Sequence, residues 1–394
     1  MSARLISDRE RRARLVARHR LTAAGRAATP AEAARDLVAL HATDPATVHL
    51  SAAARVAQPS VAATERALYD DRELVRILGM RRTMWVVPVE LAGIVQTGCT
   101  DAIAVRERRT TVKFIEECGV AADGAAWLAE VEAATLALLE ARGSALPAEL
   151  AQEEPRLREK LFLAQGKSYA GTQSVGSRVL PLLGAQGLAV RGRPSGTWVS
   201  TRYRWSSIKA WLPDGVPAVT PEDARAELVR SWLARFGPGT LADLKWWTGL
   251  TMGETRKAVA AAGAVPVTLE GGGAGLVLPD DVEPVEPAAP EAVLLPALDP
   301  TTMGWKERAW YLGDHGPQLF DTNGNAGPAI WWDGRVVGGW AVRDGGEVVT
   351  RLLEDIGTGG AAAVEAAAGA LTTWLDGVRV TPSFRTPLER ELTA

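Results

Sequence analysis

The chain has 394 residues, 47% of them hydrophobic and 23% charged, the balance of a globular protein of roughly two to four domains. Its formal net charge of −3 supplies no global basic field, so any nucleic-acid surface has to come from local clustering of arginine and lysine. Cys99 and Cys118 are the two cysteines; they lack metal-ligand spacing, cannot form a disulfide framework, and fit a reducing compartment. The basic N-terminal stretch has no apolar signal core, and no apolar run approaches membrane length, which predicts a soluble, cytoplasmic chain with no membrane partner. Fourteen tryptophans stand against five phenylalanines and four tyrosines. With the abundant alanine, arginine and glycine they fit a GC-rich coding genome and point to no function.

In chain order, helices are expected near residues 8–19, 30–41 and 45–57, with a hairpin over Leu74–Pro88. Thr29-Pro30-Ala31-Glu32 is a capping box with proline at the first helical position, opening an amphipathic stretch to about His41. Ala125–Arg142 has helical periodicity and stops at Gly143. A short helix at Leu146–Leu150 and a longer one over Ser174–Gly187 follow. Then come Leu188-Ala189-Val190-Arg191, a turn at Gly192–Gly196 and a second strand run over Thr197–Trp205. Thr220-Pro221-Glu222-Asp223 repeats the capping device and opens a helix to about Arg235. Thr240–Trp247 and Met252–Ala262 follow as helices. Strands Val265–Glu270 and Gly275–Pro279 flank Gly271-Gly272-Gly273.

Helix, short helix, helix, hairpin is the order of a winged helix, a helix-turn-helix with a β-ribbon appended. Three such modules are expected, at residues 1–115, 120–215 and 218–282, repeated in structure and not in sequence. Proline and acid dominate from about 279 to 293, which reads as a linker. Beyond it, at 290–394, strand-type runs lie at Val293–Leu298, Ala329–Trp332, Val336–Val342 and Glu347–Leu352. Asp333-Gly334 marks a tight turn, a helix spans Gly360–Leu375, and Val378–Pro382 follows. This region is expected to be a small β-barrel or sheet domain with one covering helix, so the fold class is α+β.

Residues 188–210 carry Arg191, Arg193, Arg202, Arg204 and Lys209 with no acid among them, interleaved with Trp198, Tyr203 and Trp205. On a wing, such a ribbon lies against a phosphate backbone; the competing reading is a solvated surface hairpin. Seven arginines between Arg4 and Arg20, and the group Arg106, Arg108, Arg109 and Lys113, read equally well as charged helix faces. There is no P-loop, no dinucleotide-binding glycine motif and no histidine–carboxylate metal spacing. Gly357-Thr358-Gly359-Gly360 is the nearest phosphate-loop mimic and lacks the lysine. Neither a metal nor a cofactor is therefore expected.

Four segments together resemble the AlkZ-like winged-helix DNA glycosylases, which excise alkylated purines and, in some members, unhook interstrand cross-links. They are Leu37–Leu50 (LVALHATDPATVHL), Gly187–Trp205 (GLAVRGRPSGTWVSTRYRW), Thr240–Leu250 (TLADLKWWTGL), and Leu294–Arg308 (LLPALDPTTMGWKER) with the following Gly334–Trp340. The resemblance implies three winged helices and a C-terminal β-barrel forming a concave DNA-binding face; the expected partner is damaged double-stranded DNA, bound by a monomer. It also implies that Arg82 and Thr83 in GMRRTMW lie near the active cleft, where Arg82 can hold a phosphate. Asp299 has a counterpart in the family, with a structural role tying the barrel to a helix module. The family's catalytic motif is Gln-x-Gln or Gln-x-Asp. Here the matching positions are His41 and Thr43, with Asp44 next, so neither glutamine is present.

Breaking an N-glycosidic bond passes through an oxocarbenium-like sugar, with water on one face and stabilisation of positive charge. An N7- or N3-alkylated purine is cationic and leaves without a strong acid. A neutral imidazole at His41 can position the water and a carboxylate at Asp44 can stabilise the cation. The alternative makes His41 a hydrogen-bonded core residue and Asp44 an N-cap ahead of Pro45. His49 is a helix-face residue on the same segment. The expected function is a metal-independent DNA glycosylase; the alternative is a winged-helix DNA-binding protein or regulator without catalysis.

Overall fold

The helix starts marked in the sequence are capped as their residue types dictate in the computed structural model, which describes residues 4–163 and 171–394. A two-residue strand, β1 (Leu5–Ile6), leads into α1 (Asp8–Arg18). The Thr29 hydroxyl accepts the Glu32 N–H at 3.2 Å and opens α2 (Pro30–Asp36). This helix stops short of His41, against the apolar spacing. Val38 takes a left-handed φ of 62°, the chain turns, and β2 (Leu40–His41) begins. After α3 (Pro45–Ala53) and α4 (Val61–Glu65) comes the expected hairpin, β3 (Leu74–Leu78) and β4 (Met84–Pro88). β2 pairs antiparallel with β4, Leu40 opposite Val86 and His41 opposite Trp85. That pairing overrides helical spacing because it packs Leu37, Leu40 and Ala42 against Leu74 and Val86. It also gives the Ala42 N–H a partner, the Met84 carbonyl at 2.8 Å, so no buried backbone donor is lost. α5 (Ala92–Val95) and α6 (Asp101–Glu117) close the region.

The next unit holds α7 (Gly124–Arg142) and α8 (Pro147–Glu153), then an antiparallel ribbon, β5 (Lys160–Leu163) and β6 (Gly171–Ser174), absent from the sequence reading. α9 (Gly176–Ala185) and the hairpin β7 (Ala189–Pro194) and β8 (Tyr203–Ser207) complete it. The third unit is α10 (Pro221–Phe236), α11 (Leu241–Thr248), α12 (Met252–Ala261), β9 (Val265–Leu269) and β10 (Ala274–Val277). Thr240 and Asp243 cap α11 reciprocally, and Gly249 ends it with φ 78°. β1 joins this unit, parallel to β9. Arg14 on α1 binds the Asp281 carboxylate and the Glu283 carbonyl, each at 2.6 Å. β1 and α1 therefore pack on the third helix–hairpin unit.

After the linker come β11 (Ala292–Leu295), the short helices α13 (Ala309–Leu312) and α14 (Gly316–Leu319), and then β12 (Ala329–Trp332), β13 (Arg335–Val342) and β14 (Val348–Leu352). α15 (Gly357–Leu375) and α16 (Pro387–Leu392) end the chain. Asp333 (φ 50°) and Gly334 (φ 72°) form the tight turn between β12 and β13, both residues with the positive φ that such a turn requires. The expected barrel does not close. Among the described residues these strands form an open antiparallel sheet, β11-β12-β13-β14, and α15 packs on both edge strands. Four short strands are too few to curl around a filled interior, and a helix covers the face instead. No strand forms at Val378–Pro382.

The tryptophans explain themselves in the core. Trp85 of β4 meets Trp247 of α11 at 5.9 Å between ring centroids, and Trp247 meets Phe236 at 6.0 Å. Phe236 meets Trp305 at 5.3 Å, and the series continues through Tyr311 to Trp331 of β12. One aromatic seam thus joins the first sheet, the third helical unit and the C-terminal sheet. Each such contact adds about 0.5–1.5 kcal/mol beyond area burial. A second tie is ionic. Arg55 and Asp299 are both fully buried, 2.7 Å apart, and Ser51 and Thr301 complete their hydrogen bonds. Asp299 thereby anchors the segment after β11 to the end of α3, the structural role expected of it.

Candidate active site

The segment matching the catalytic motif is a strand end followed by a helix cap. His41 faces Trp85 edge-on at 4.8 Å and is 2% exposed. Burial, then the nearby Arg81 charge, pulls its pKa down to about 3, so the imidazole is neutral at physiological pH. The Thr43 N–H approaches its Nδ1 at 3.5 Å; with Nδ1 accepting, the proton sits on Nε2. Such an imidazole is too weak a base to take a proton from water near pH 7. The sequence places His41 on a helix facing a cleft; the fold places it in the sheet, its ring packed on Trp85, two residues before Thr43, which does face one. Burial is the cause, because β2–β4 pairing turns the ring toward Trp85.

Asp44 caps α3. One carboxylate oxygen accepts the Ala46 N–H at 3.0 Å and the other the Ser383 N–H at 2.8 Å. It fastens the C-terminal segment to α3, away from the cleft that Thr43 lines.

That cleft has a volume of about 310 Å³ and lies between the β3–β4 hairpin and the unit built on α9, β7 and β8. Thr43, Arg82, Thr83 and Arg191, four residues singled out in the sequence, converge on it, with Arg76, Met84, Pro181 and Trp205. The Thr43 hydroxyl is buried and has no hydrogen-bond partner, and Thr83 donates to the Met80 carbonyl at 2.9 Å. Arg76 is 3% exposed; Nη1 donates to the Ala42 carbonyl at 3.1 Å, while Nε has no partner. Sequence reasoning missed Arg76. The available signal was a lone arginine inside the apolar run Leu74–Leu78, where a charge needs a reason. A larger cavity, about 380 Å³, lies between α1, the linker and the β12–β13 turn. None of the candidate site residues reaches it.

The expected phosphate contacts divide. Arg193 binds Glu65 at 2.7 Å and Asp70 at 3.0 Å. Arg204 binds Glu149 at 3.0 Å, Lys209 binds Glu140 at 2.9 Å, and Arg82, 65% exposed, reaches Glu107 at 2.6 Å. Arg202 is exposed and, among the described residues, makes no ion pair; it shares a shallow surface hollow with Arg191. The loop between β7 and β8 is docked rather than extended. Trp198, 8% exposed, packs 5.7 Å from Trp374 of α15 and 5.2 Å from His49 of α3.

Among the described residues, no group of three or more His, Cys, Asp or Glu side chains is placed to hold a metal. No helix among them is long and apolar enough to cross a membrane. A family model described as DNA glycosylase AlkZ-like matches residues 34–374. The solved structure of Streptomyces sahachiroi DNA glycosylase AlkZ is similar, with a TM-score of 0.72 at 20% sequence identity, over 96% of this chain and 99% of that one. No curated protein matches.

Proposed function

The chain belongs to the AlkZ-like DNA glycosylase family, and from that premise we propose that it binds damaged duplex DNA and hydrolyses the N-glycosidic bond of N7- or N3-alkylated purines, bulky adducts and cross-links included. The three helix–hairpin units, expected at 1–115, 120–215 and 218–282, act as winged helices on the duplex, with β1 and α1 of the first packed on the third and the domain at 290–394 as their brace. The protein works as a cytoplasmic monomer without metal or cofactor.

A cationic purine departs with the electron pair of the C1′–N bond and leaves an oxocarbenium sugar. Water adds through oxygen to C1′ and releases one proton to solvent, giving an abasic site. One observation carries the assignment of the water site: the Thr43 hydroxyl, at a position matching the family's catalytic motif, is buried, unpartnered and on the wall of a 310 Å³ cleft. Water there satisfies the hydroxyl, which otherwise carries a desolvation cost of about 1–3 kcal/mol. His41 is a positioning residue beneath the Thr43 turn, and Arg82 and Arg191 meet phosphate at the rim.

Base release from duplexes carrying N7-methyl, N3-methyl and bulky purine adducts tests this. Thr43→Val keeps the shape and removes the hydroxyl; it should lower release about a hundredfold while DNA affinity stays within about twofold. Equal release by Thr43→Val would move the water elsewhere. The absence of both family glutamines, at His41 and Thr43, favours one rival, a DNA-binding protein without catalysis. That rival predicts tight duplex binding and no release of any adduct by the wild-type chain.

A further inference from the structure

Two guanidinium groups of the cleft wall share one aromatic ring, Tyr203, which lies behind the cleft lining. Arg76 lies 4.8 Å from the Tyr203 centroid, and Arg191 lies 5.8 Å from the same ring and 5.3 Å from Trp205. Among the described residues neither forms an ion pair; Arg76 donates to the Ala42 carbonyl, and although burial opposes its charge, the Tyr203 and Tyr69 hydroxyls raise its pKa. Burial, then the Arg76 charge, draws the Arg191 pKa down, the direction expected when like charges meet in a low-dielectric site. Three buried polar atoms here also have no partner: Arg76 Nε, the Thr43 hydroxyl and the Tyr203 hydroxyl. Cations without a carboxylate partner, beside unmade hydrogen bonds, suit an oxyanion with several acceptor oxygens.

We infer that Arg76 and Arg191 form a phosphate subsite beside the water held by Thr43, and that its occupant is the DNA phosphodiester next to the damaged nucleotide. This rests on the reading of DNA as substrate and gives the cleft a specific electrostatic task. Empty, it presents two positive charges to a cationic purine and to the oxocarbenium that follows. Filled by the substrate's own phosphate, it holds one fewer net positive charge, and the anion lies beside the sugar that becomes cationic. The site thereby admits a cationic lesion only together with its backbone.

Two measurements test the inference, and neither reads base release. In thermal melts, inorganic phosphate is compared with chloride at equal ionic strength. Phosphate should raise the Tm of the wild type, and Arg191→Gln should lose most of that shift. The second uses duplexes with a tetrahydrofuran abasic analogue and one neutral methylphosphonate, moved phosphate by phosphate on either side. One position should weaken wild-type binding about tenfold, as for loss of a charge-assisted hydrogen bond. The same substitution should leave Arg191→Gln binding within about twofold. Because Arg76→Met can unfold the chain, Arg76→Lys, which keeps the charge, serves as the second variant and should retain the coupling in part. No position at which the methylphosphonate and Arg191→Gln are coupled overturns the inference. A phosphate-dependent shift without such a position overturns the backbone as ligand and leaves free phosphate. A wild type that shows the coupling but releases no base supports the subsite and sinks the catalytic reading.

Discussion

His19, His41 and His49 are 0%, 2% and 2% exposed, and each has its pKa lowered by burial and then by a neighbouring arginine, His41 and His49 to about 3 and His19 well below its ordinary value. His19 spends its ring nitrogens inside the fold, on the Thr301 hydroxyl and the Arg235 carbonyl. All three are neutral when folded and regain a pKa near 6.5 when unfolded. Between about pH 3 and 6.5 the unfolded chain therefore binds more protons than the folded one. Stability rises with pH through that window and is lost as pH falls below 6.5, by up to about 1.4 kcal/mol per pH unit for each histidine. Urea midpoints between pH 7.5 and 4.5 should decline from near pH 6.5, ahead of carboxylate protonation. His41→Gln should remove about one proton from the slope, and an unchanged slope would mean that the ring is charged in the fold. The rate of base release should show no limb from His41 between pH 5 and 8.

Local chemistry was legible element by element, and long-range pairing was not. Thr29, Thr220 and Thr240 cap the helices their sequences announce, and Asp333-Gly334 makes its turn, because each needs only three or four adjacent residues. The end of α2 depends instead on Trp85 and Val86, far along the chain, and β1 on Thr268 and Leu269; nothing within two residues of strand betrays such partners. Between a barrel and a helix-covered open sheet at 290–394 the sequence could not choose, since strand number and closure are properties of the assembled sheet. In the site, Thr43, Arg82 and Arg191 could be placed from motif and charge, whereas Arg76 was missed: a lone charge in an apolar strand run is visible, but its burial at the cleft depends on the assembled fold. Asp299 was legible, and its partner Arg55 was not. Their pair is a stability test at the level of elements. Asp299→Asn or Arg55→Met should each cost about 3–5 kcal/mol by leaving one buried partner uncompensated. The double substitution Arg55→Met/Asp299→Leu should cost distinctly less in urea unfolding than the sum. Strict additivity would mean that the two side chains stabilise the fold independently.

On the scale of the whole molecule, a net charge of −3 has to coexist with binding to a polyanion, which the distribution of ion pairs makes feasible. Arg193, Arg204 and Lys209 already face carboxylates, so their charge is largely matched before DNA arrives. Arg81 and Arg308 instead stand 3.9 and 5.1 Å from one ring, Trp246, and make no ion pair among the described residues. Burial, then the Arg308 charge, pulls Arg81 down to about 10, which leaves it protonated at physiological pH. Together with Arg202, these cations lie on the first and second helical units and the C-terminal domain, so a duplex crossing them would touch all three. Counterion release then separates the two classes. Each phosphate neutralised by a free cation contributes about 0.9 to the slope of log affinity against log salt, whichever sequence is bound. Arg202→Gln and Arg308→Gln should each flatten that slope by nearly one unit and weaken binding uniformly across duplexes. Lys209→Gln should leave it almost unchanged, because it removes a charge that Glu140 had already matched. If Lys209→Gln flattened the slope as much as Arg202→Gln does, the salt bridges would be opening on DNA, and the hairpin arginines would return as phosphate contacts.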